Sequence, residues 1–449
     1  MRWIDARLEN PFAALADRRA LHDAEVASVV SETIEDVRRR GDESLVDHAK
    51  RFDAPGLRSL IVEEWEFEAA ETKLDESERD AILLSIHRVM RFHEAQLYYL
   101  TETMERVESG ESRFEGLPQT AYCWAEETDH GGEIGQKLVP VRHAGIYVPG
   151  GQATYPSSVI MNVCPANVAM TREVTVTTPA RKDGSLSPAV LFAARHTHVN
   201  RIARVGGAAA VAALALGTES IPRADVVAGP GNRYVNEAKR QLWGTVGLDG
   251  FAGPSEVCVL ADEHTNARFA AADLITQIEH ASDNVAFLVC TSEDKAKEIL
   301  AEVDIQVAEA PRAETIRTAL AHSMVFVCED IEQAIDLVNA IAPEHLSLAI
   351  EVPEIVVDRI HNAGCILVGE WTPESAGDFA AGPSHTLPTS GAARFGSPVN
   401  VMTFMKFQSV VRLAKGDLEE LTPTIEAFGA MEGFPAHGFG AAARGLVGD

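Results

Sequence analysis

Residues 174–232 read VTVTTPARKDGSLSPAVLFAARHTHVNRIARVGGAAAVAALALGTESIPRADVVAGPGN. The β-branched run Val174–Thr178 predicts a strand, Pro188–Arg195 a helix and Arg201–Val205 a second strand. Gly206-Gly207 then opens an alanine-rich helix, and Asp225–Ala228 reads as a third strand ending in Gly229-Pro230-Gly231-Asn232. Strands alternating with helices over about sixty residues require crossover connections, and hence a parallel sheet with right-handed crossovers.

The pattern recurs downstream. Val257–Ala261 reads as a strand, Ala267–His280 as a helix and Val285–Cys290 as a strand; a helix runs from Ile331 towards Pro343, and Cys365–Val368 reads as another strand. The expected fold class is therefore α/β: two tandem incomplete Rossmann-like parallel-sheet domains, with ligand-facing loops at the strand C-termini. To these the sequence adds an N-terminal helical region and a small C-terminal tail domain. The expected limits are 1–137 for the helical region, part of which packs with the second α/β unit, 138–250 and 251–390 for the two α/β units, and 391–449 for the tail. In the first region His22–Arg40 reads as a helix stopped by Gly41, and Glu76 to about Glu108 as a second long helical stretch. Glu63, Glu64, Glu66, Glu68 and Glu71 read as one solvated face. After Thr389 the pattern dissolves into loops and a helix around Leu418–Met431, a tail too short for its own core and suited to packing on another domain or subunit.

A chain of 449 residues has the length of roughly three or four such units. Its 46% hydrophobic and 24% charged content is that of an ordinary soluble globular protein. The net charge of −28 leaves no basic stripe to displace counterions from phosphates, which argues against nucleic acid as a partner. The start, MRWIDARLENPF, lacks a signal peptide's basic segment and apolar run, and the most apolar stretch, Ala208–Leu216, is too short to cross a bilayer, so no membrane partner and a cytoplasmic location are expected. Cys258, Cys290, Cys328 and Cys365 sit in strand-like apolar runs without C-x-x-C spacing and read as small buried hydrophobes.

Several short motifs carry chemistry. Gly145–Gly151 (GIYVPGG) and Gly229–Asn232 (GPGN) lie at strand-to-helix transitions, where free backbone N–H groups receive an anion; singly each is a tight turn, together they favour a nucleotide. Gln277-Ile278-Glu279-His280 places an amide and an imidazole at i and i+3 on one helix face, within reach of one metal ion, although a helix-end His beside the dipole is the plainer reading. Glu344-His345 in APEHL sets an acid beside a base at the entrance to an apolar strand, where the pair can divide proton transfer or merely cap the strand. Ser375–Thr389 (SAGDFAAGPSHTLPT) holds Asp378 and His385 among small residues that pack little core, either as site residues or as a polar turn. Glu432 and His437 stand in a tail of mostly small and apolar residues.

Taken in order, the motifs YVPGG, VGGAAAVAALALGTESIP, GPGN, AGPSE, DLITQIEH, APEHL, ESAGDFAAGPSHTLPT and the final E-x4-H resemble the histidinol dehydrogenase family over essentially the whole chain. The resemblance implies a homodimeric enzyme with one Zn2+ per subunit that uses two NAD+ to oxidise a small amino alcohol, L-histidinol, through the aldehyde to L-histidine, the last steps of histidine biosynthesis. It implies Gln277, His280, Asp378 and His437 as zinc ligands and Glu344 and His345 as the acid–base pair. Ser255, His385 and Glu432 match substrate-contacting positions, as do Gln277, His280, His345, Asp378 and His437, while Tyr147 and Asn232 match nucleotide-contacting ones. The resemblance also allows the tail to reach a partner subunit.

One position departs from the family pattern. Ala209 stands where the family usually has a nucleotide-contacting Gln, and Ala cannot supply an amide, so weaker or altered NAD+ binding is expected. The alternative is a paralogue on the same scaffold oxidising another polar alcohol, such as a sulfonated diol. The retained Glu432 speaks for a cationic substrate, since a carboxylate repels a sulfonate. A silent metal- or nucleotide-binding protein would need neither Glu344 nor His345.

Overall fold

The structure is a computed structural model that describes residues 1–18, 23–105, 123–150, 153–251 and 253–445. Parts of four sequence expectations lie outside these residues: His22, the stretch 106–108, Gly151 of the first glycine loop and Ala252 of AGPSE.

The strands, in chain order, are β1 (Arg2–Asp5), β2 (Cys123–Glu127), β3 (Glu133–Pro140), β4 (His143–Tyr147), β5 (Glu173–Thr178), β6 (Arg201–Arg204), β7 (Val226–Ala228), β8 (Gly247–Leu248), β9 (Glu256–Ala261), β10 (Val285–Cys290), β11 (Met324–Val327), β12 (His345–Leu348), β13 (Cys365–Val368) and β14 (Met405–Arg412). They form three sheets. Two are wholly parallel, of order β6-β5-β4-β7-β8 and β1-β11-β10-β9-β12-β13; the third, β14-β3-β2, is antiparallel. The chain divides into two compact units, residues 1–94 with 141–404 and residues 95–140 with 405–449. The first holds both parallel sheets, the second the antiparallel one.

Both parallel sheets are built as the α/β reading requires. In β9 the side chains of Val257, Val259 and Ala261 join one apolar cluster, and those of Cys258 and Leu260 join another. β10 does the same, with Ala286, Leu288 and Cys290 on one side and Phe287 and Val289 on the other. Alternation with apolar residues on both faces marks a strand covered by helices on each side, which is why these strands read as continuous apolar runs. On the smaller sheet, helices Ala24–Arg40, Gly207–Leu216 and Arg233–Leu242 pack into one core containing Val30, Val37, Val211, Leu214 and Leu242.

Four readings are corrected. Residues 2–5, placed in a helical region by the sequence, form the edge strand β1, which pairs with β11 in register Ile4↔Phe326. Too short to show periodicity, they are strand because β11 offers an open parallel edge. The glutamate cluster is not uniformly solvated: Glu66 is the partner of Arg204, whose side chain is only 4% exposed. The stretch after Thr389 contains more than loops and one helix: β14 lies antiparallel to β3, and helices Lys415–Met431 and Pro435–Gly445 follow. Helix Ala267–Ile278 stops two residues before His280, with Glu279 as its C-cap.

Cys164, Cys258, Cys290 and Cys328 are buried and Cys365 is half-buried; burial pushes the thiols of Cys164, Cys290, Cys328 and Cys365 above their usual range. Among the described residues no helix is long and apolar enough to cross a membrane.

Candidate active site

β12 occupies an inner position of the six-stranded sheet, between β9 and β13, and begins at His345. The helix before it, Ile331–Ile341, ends on Ala342 in the left-handed region (φ 48°), and this sharp exit turns Glu344 and His345 into the sheet's end. Glu344 is buried, with Oε2 accepting the Glu256 N–H at 2.8 Å. Burial pushes its carboxyl up to about 8 against the pull of His345. The strand end is packed so tightly that a Cβ on Gly364 would lie 2.6 Å from the Glu344 carbonyl oxygen.

His345 is 2% exposed. Its Nε2 lies 3.4 Å from Asp378 Oδ1 and its Nδ1 3.4 Å from Glu374 Oε1. Burial alone would lower this imidazole, but the carboxyls of Glu374, Asp378 and Glu344 outweigh it and raise it to about 9. Both acids come from the short helix Glu374–Phe379. Asp378 Oδ2 accepts from Gln277 Nε2 at 3.0 Å, in a buried contact. Burial opposes ionisation of Asp378, yet His345, His385 and His280 together hold its carboxyl below the usual range.

Gln277 is anchored as well as paired. Its carbonyl accepts from Asn284 Nδ2 at 2.8 Å, and Asn284 Oδ1 accepts the Ser255 N–H at 3.1 Å, so one buried amide ties the end of helix Ala267–Ile278 to the loop before β9. His385 Nδ1 lies 3.0 Å from the Asp378 carbonyl and Nε2 3.5 Å from Ser158 Oγ; burial pushes this imidazole below its ordinary value. The neighbouring Thr386 Oγ1 accepts from Asn162 Nδ2 at 3.0 Å. Helix Pro156–Val168, which follows β4, thereby touches the His385 loop and joins the two parallel sheets at this point.

Ser255, Gln277, Glu344, His345, Asp378 and His385 are thus brought together, with His280 close enough to bear on Asp378 although its own side chain is exposed. Glu432 and His437 belong to the second unit, where Glu432 caps helix Lys415–Met431 and His437 lies on helix Pro435–Gly445; both are exposed. Among the described residues, no three or more His, Cys, Asp or Glu side chains form a group able to hold a metal ion.

The two residues expected to contact a nucleotide sit at and beyond strand ends of the smaller sheet. Tyr147 closes β4, is buried, and accepts the Gly207 N–H at 3.4 Å; burial pushes its phenol up to about 12. Asn232 is the N-cap of helix Arg233–Leu242, its Oδ1 accepting the N–H groups of Tyr234 (3.0 Å) and Val235 (3.2 Å). Gly229 adopts φ 119°, and a Cβ there would collide with the Tyr147 carbonyl. Lys239, almost fully buried, donates to the Gly229 carbonyl at 2.6 Å and to Asp249 Oδ1 at 2.7 Å, while Asp249 Oδ2 accepts the Gly229 N–H at 2.8 Å. Ala209 is fully enclosed in the core of helix Gly207–Leu216.

The sequence reading passed over Glu374, Asp273, Asn284 and Asp53. Glu374 had a signal: it opens ESAGDF four residues before Asp378, one helical turn away. Asp273, one turn before Gln277, had the same signal on its own helix. Asn284 and Asp53 had none, since they act through contacts distant in sequence.

The match of residues 16–445 to the family model for histidinol dehydrogenase accords with this arrangement. The chain is 42% identical over 445 residues to a histidinol dehydrogenase of Geobacter sulfurreducens, covering 98% of each chain. It is 40% identical over 411 residues to one from Halalkalibacterium halodurans, covering 91% of this chain and 92% of that one. A crystal structure of the histidinol dehydrogenase of Elizabethkingia anophelis superposes with a TM-score of 0.88 at 32% identity, covering 99% of this chain and 98% of the other. On matches that span nearly the whole chain in sequence and in fold, the chain belongs to the histidinol dehydrogenase family of oxidoreductases.

Proposed function

We propose that the protein oxidises L-histidinol through L-histidinaldehyde to L-histidine, one NAD+ accepting a hydride at each step. The observation that carries the reading is the buried group at the start of β12: Glu344 and His345 side by side, with Asp378 3.4 Å from His345 Nε2 and Gln277 bonded to Asp378. Burying such a group costs free energy, and ionisable groups perturbed by burial and by one another mark a candidate functional site.

In this reading Gln277, His280 and Asp378 hold a zinc ion, with His437 as the fourth ligand. The donors fit: an amide, an imidazole and a carboxylate, without thiolate, suit zinc in a site left open to substrate, and two of the three are already buried and in contact. When bound, zinc supplies orientation and polarisation of the substrate oxygen. His345 takes the hydroxyl proton as the first hydride leaves carbon. The aldehyde then adds water, Glu344 takes the proton released in forming or breaking down the gem-diol, and the second hydride leaves. Ser255, His385 and Glu432 contact the substrate, Glu432 facing its cationic part; Tyr147 and Asn232 contact the nucleotide, and two chains form a homodimer. A carboxyl raised to about 8 and an imidazole raised to about 9 both gain their base forms as pH rises, so turnover should climb through that range.

The test is NADH counted per L-histidinol consumed by zinc-loaded protein. The expected value is two; one, or none at millimolar substrate, would sink the reading. Glu344→Ala and His345→Ala should each abolish full oxidation while zinc per subunit, measured by atomic emission, stays unchanged.

A further inference from the structure

We propose that Glu374 is the positioning residue of His345, a carboxylate that holds the imidazole by Nδ1 so that Nε2 faces the reacting centre. Glu374 is wholly buried, and neither of its carboxyl oxygens has a hydrogen-bond partner among the described residues. His345 Nδ1, also unpartnered, lies 3.4 Å from Glu374 Oε1. A buried carboxyl and a buried ring nitrogen left unpaired are costly, and facing each other they satisfy one another through a single Nδ1–H···Oε1 bond.

The arrangement around the acid is consistent with this use. The Glu374 N–H donates to Asp273 Oδ1 at 3.3 Å, and Asp273 Oδ2 accepts from Ser347 Oγ at 2.9 Å. Ser347 is on β12, two residues after His345, so Asp273 ties the start of the Glu374 helix to the strand carrying the imidazole. With its proton fixed on Nδ1, the ring keeps its Nε2 lone pair on the side of Asp378, the nitrogen needed to accept a proton from substrate. A carboxylate at Nδ1 also steadies the imidazolium that forms after proton transfer, the service an Asp renders to the His of a serine-protease triad.

The inference rests on His345 acting as the base, and a double-mutant cycle separates the two claims. Glu374→Gln keeps the shape and removes the charge. Its kcat with L-histidinol should fall about 10²- to 10³-fold, with KM changed less than about threefold. Calorimetric affinity for L-histidinol and zinc per subunit should match the parent. Because the two residues act as one unit, Glu374→Gln in a His345→Ala background should cost little more. Loss of zinc in Glu374→Gln, an unchanged kcat, or losses that multiply in the double variant would each overturn the proposal. A parent-like rate in His345→Ala would instead remove the acid–base reading on which it stands.

Discussion

At the scale of single residues, burial separates the acids gathered at the candidate site from the polar residues that cap helices. Asp23, Asn266 and Ser292 are plain N-caps, each accepting backbone N–H groups at the start of its helix. Asp53 differs: its carboxyl lies beside Gly206, its Oδ2 is buried without a partner among the described residues, and burial raises its carboxyl to about 6. A carboxyl raised on folding holds its proton more tightly in the native state. Its contribution to stability is therefore present below the unfolded value of about 4 and is lost as pH climbs through about 6. Asp53→Asn keeps the shape and has no charge to desolvate. Thermal melts should match the parent near pH 4 and lie higher at pH 7.5, by on the order of 1 °C for so long a chain; a lower melting point at pH 7.5 would refute this account. Asp378 and His385 stood out in the sequence as candidates because small neighbours gave them no core to serve. Glu374 was not, because a lone Glu at a helix start also reads as a charge suited to the dipole.

At the scale of elements, the turn after β7 illustrates how a backbone shape is enforced. Gly229 is clamped through both its N–H and its carbonyl by the buried pair Lys239–Asp249, and the turn presents Asn232 at the next helix. Removing one partner leaves a buried charge unpaired. Lys239→Met should lower unfolding free energy by about 3–5 kcal/mol in urea titrations, whereas an exposed substitution such as Lys297→Met should change it by less than about 1 kcal/mol. Equal effects would show that the clamp bears no load. Ala209 raises the opposite question, that of a missing group. It is enclosed in apolar core, so Ala209→Gln must either find a path to the nucleotide or bury an amide. Isothermal titration should show tighter NAD+ binding in Ala209→Gln if the missing amide limits the parent; equal affinities would show that the position does not matter here. The strands of both parallel sheets were readable from sequence because burial on two faces forces continuous apolar runs. β1 and β14 were not: four residues are too few for a period, and β14 is mostly exposed, so only its partner β3 identifies it as a strand.

At the scale of the whole molecule, the proposal that His437 completes the zinc site allows two arrangements that one experiment separates. A tail lent to a neighbouring subunit predicts complementation: mixing His437→Ala with Glu344→Ala and letting subunits exchange should restore about a quarter of parental activity, because half the dimers are hybrids and each hybrid assembles one intact site. A tail serving its own chain restores none. The sequence by itself determined the α/β class, the order of most strands and, through an ordered series of short motifs, the family, because periodicity and motif spacing are properties of the chain read locally. Tertiary structure alone decided what each polar group faces. That Gln277 bonds Asp378, that Asn284 bonds Ser255, and that Glu374 stands behind His345 are contacts between residues 101, 29 and 29 positions apart. Such pairings depend on how two helices and three neighbouring strands pack. The free energy that settles them, desolvation set against a partner's charge, exists only once the site is closed to water.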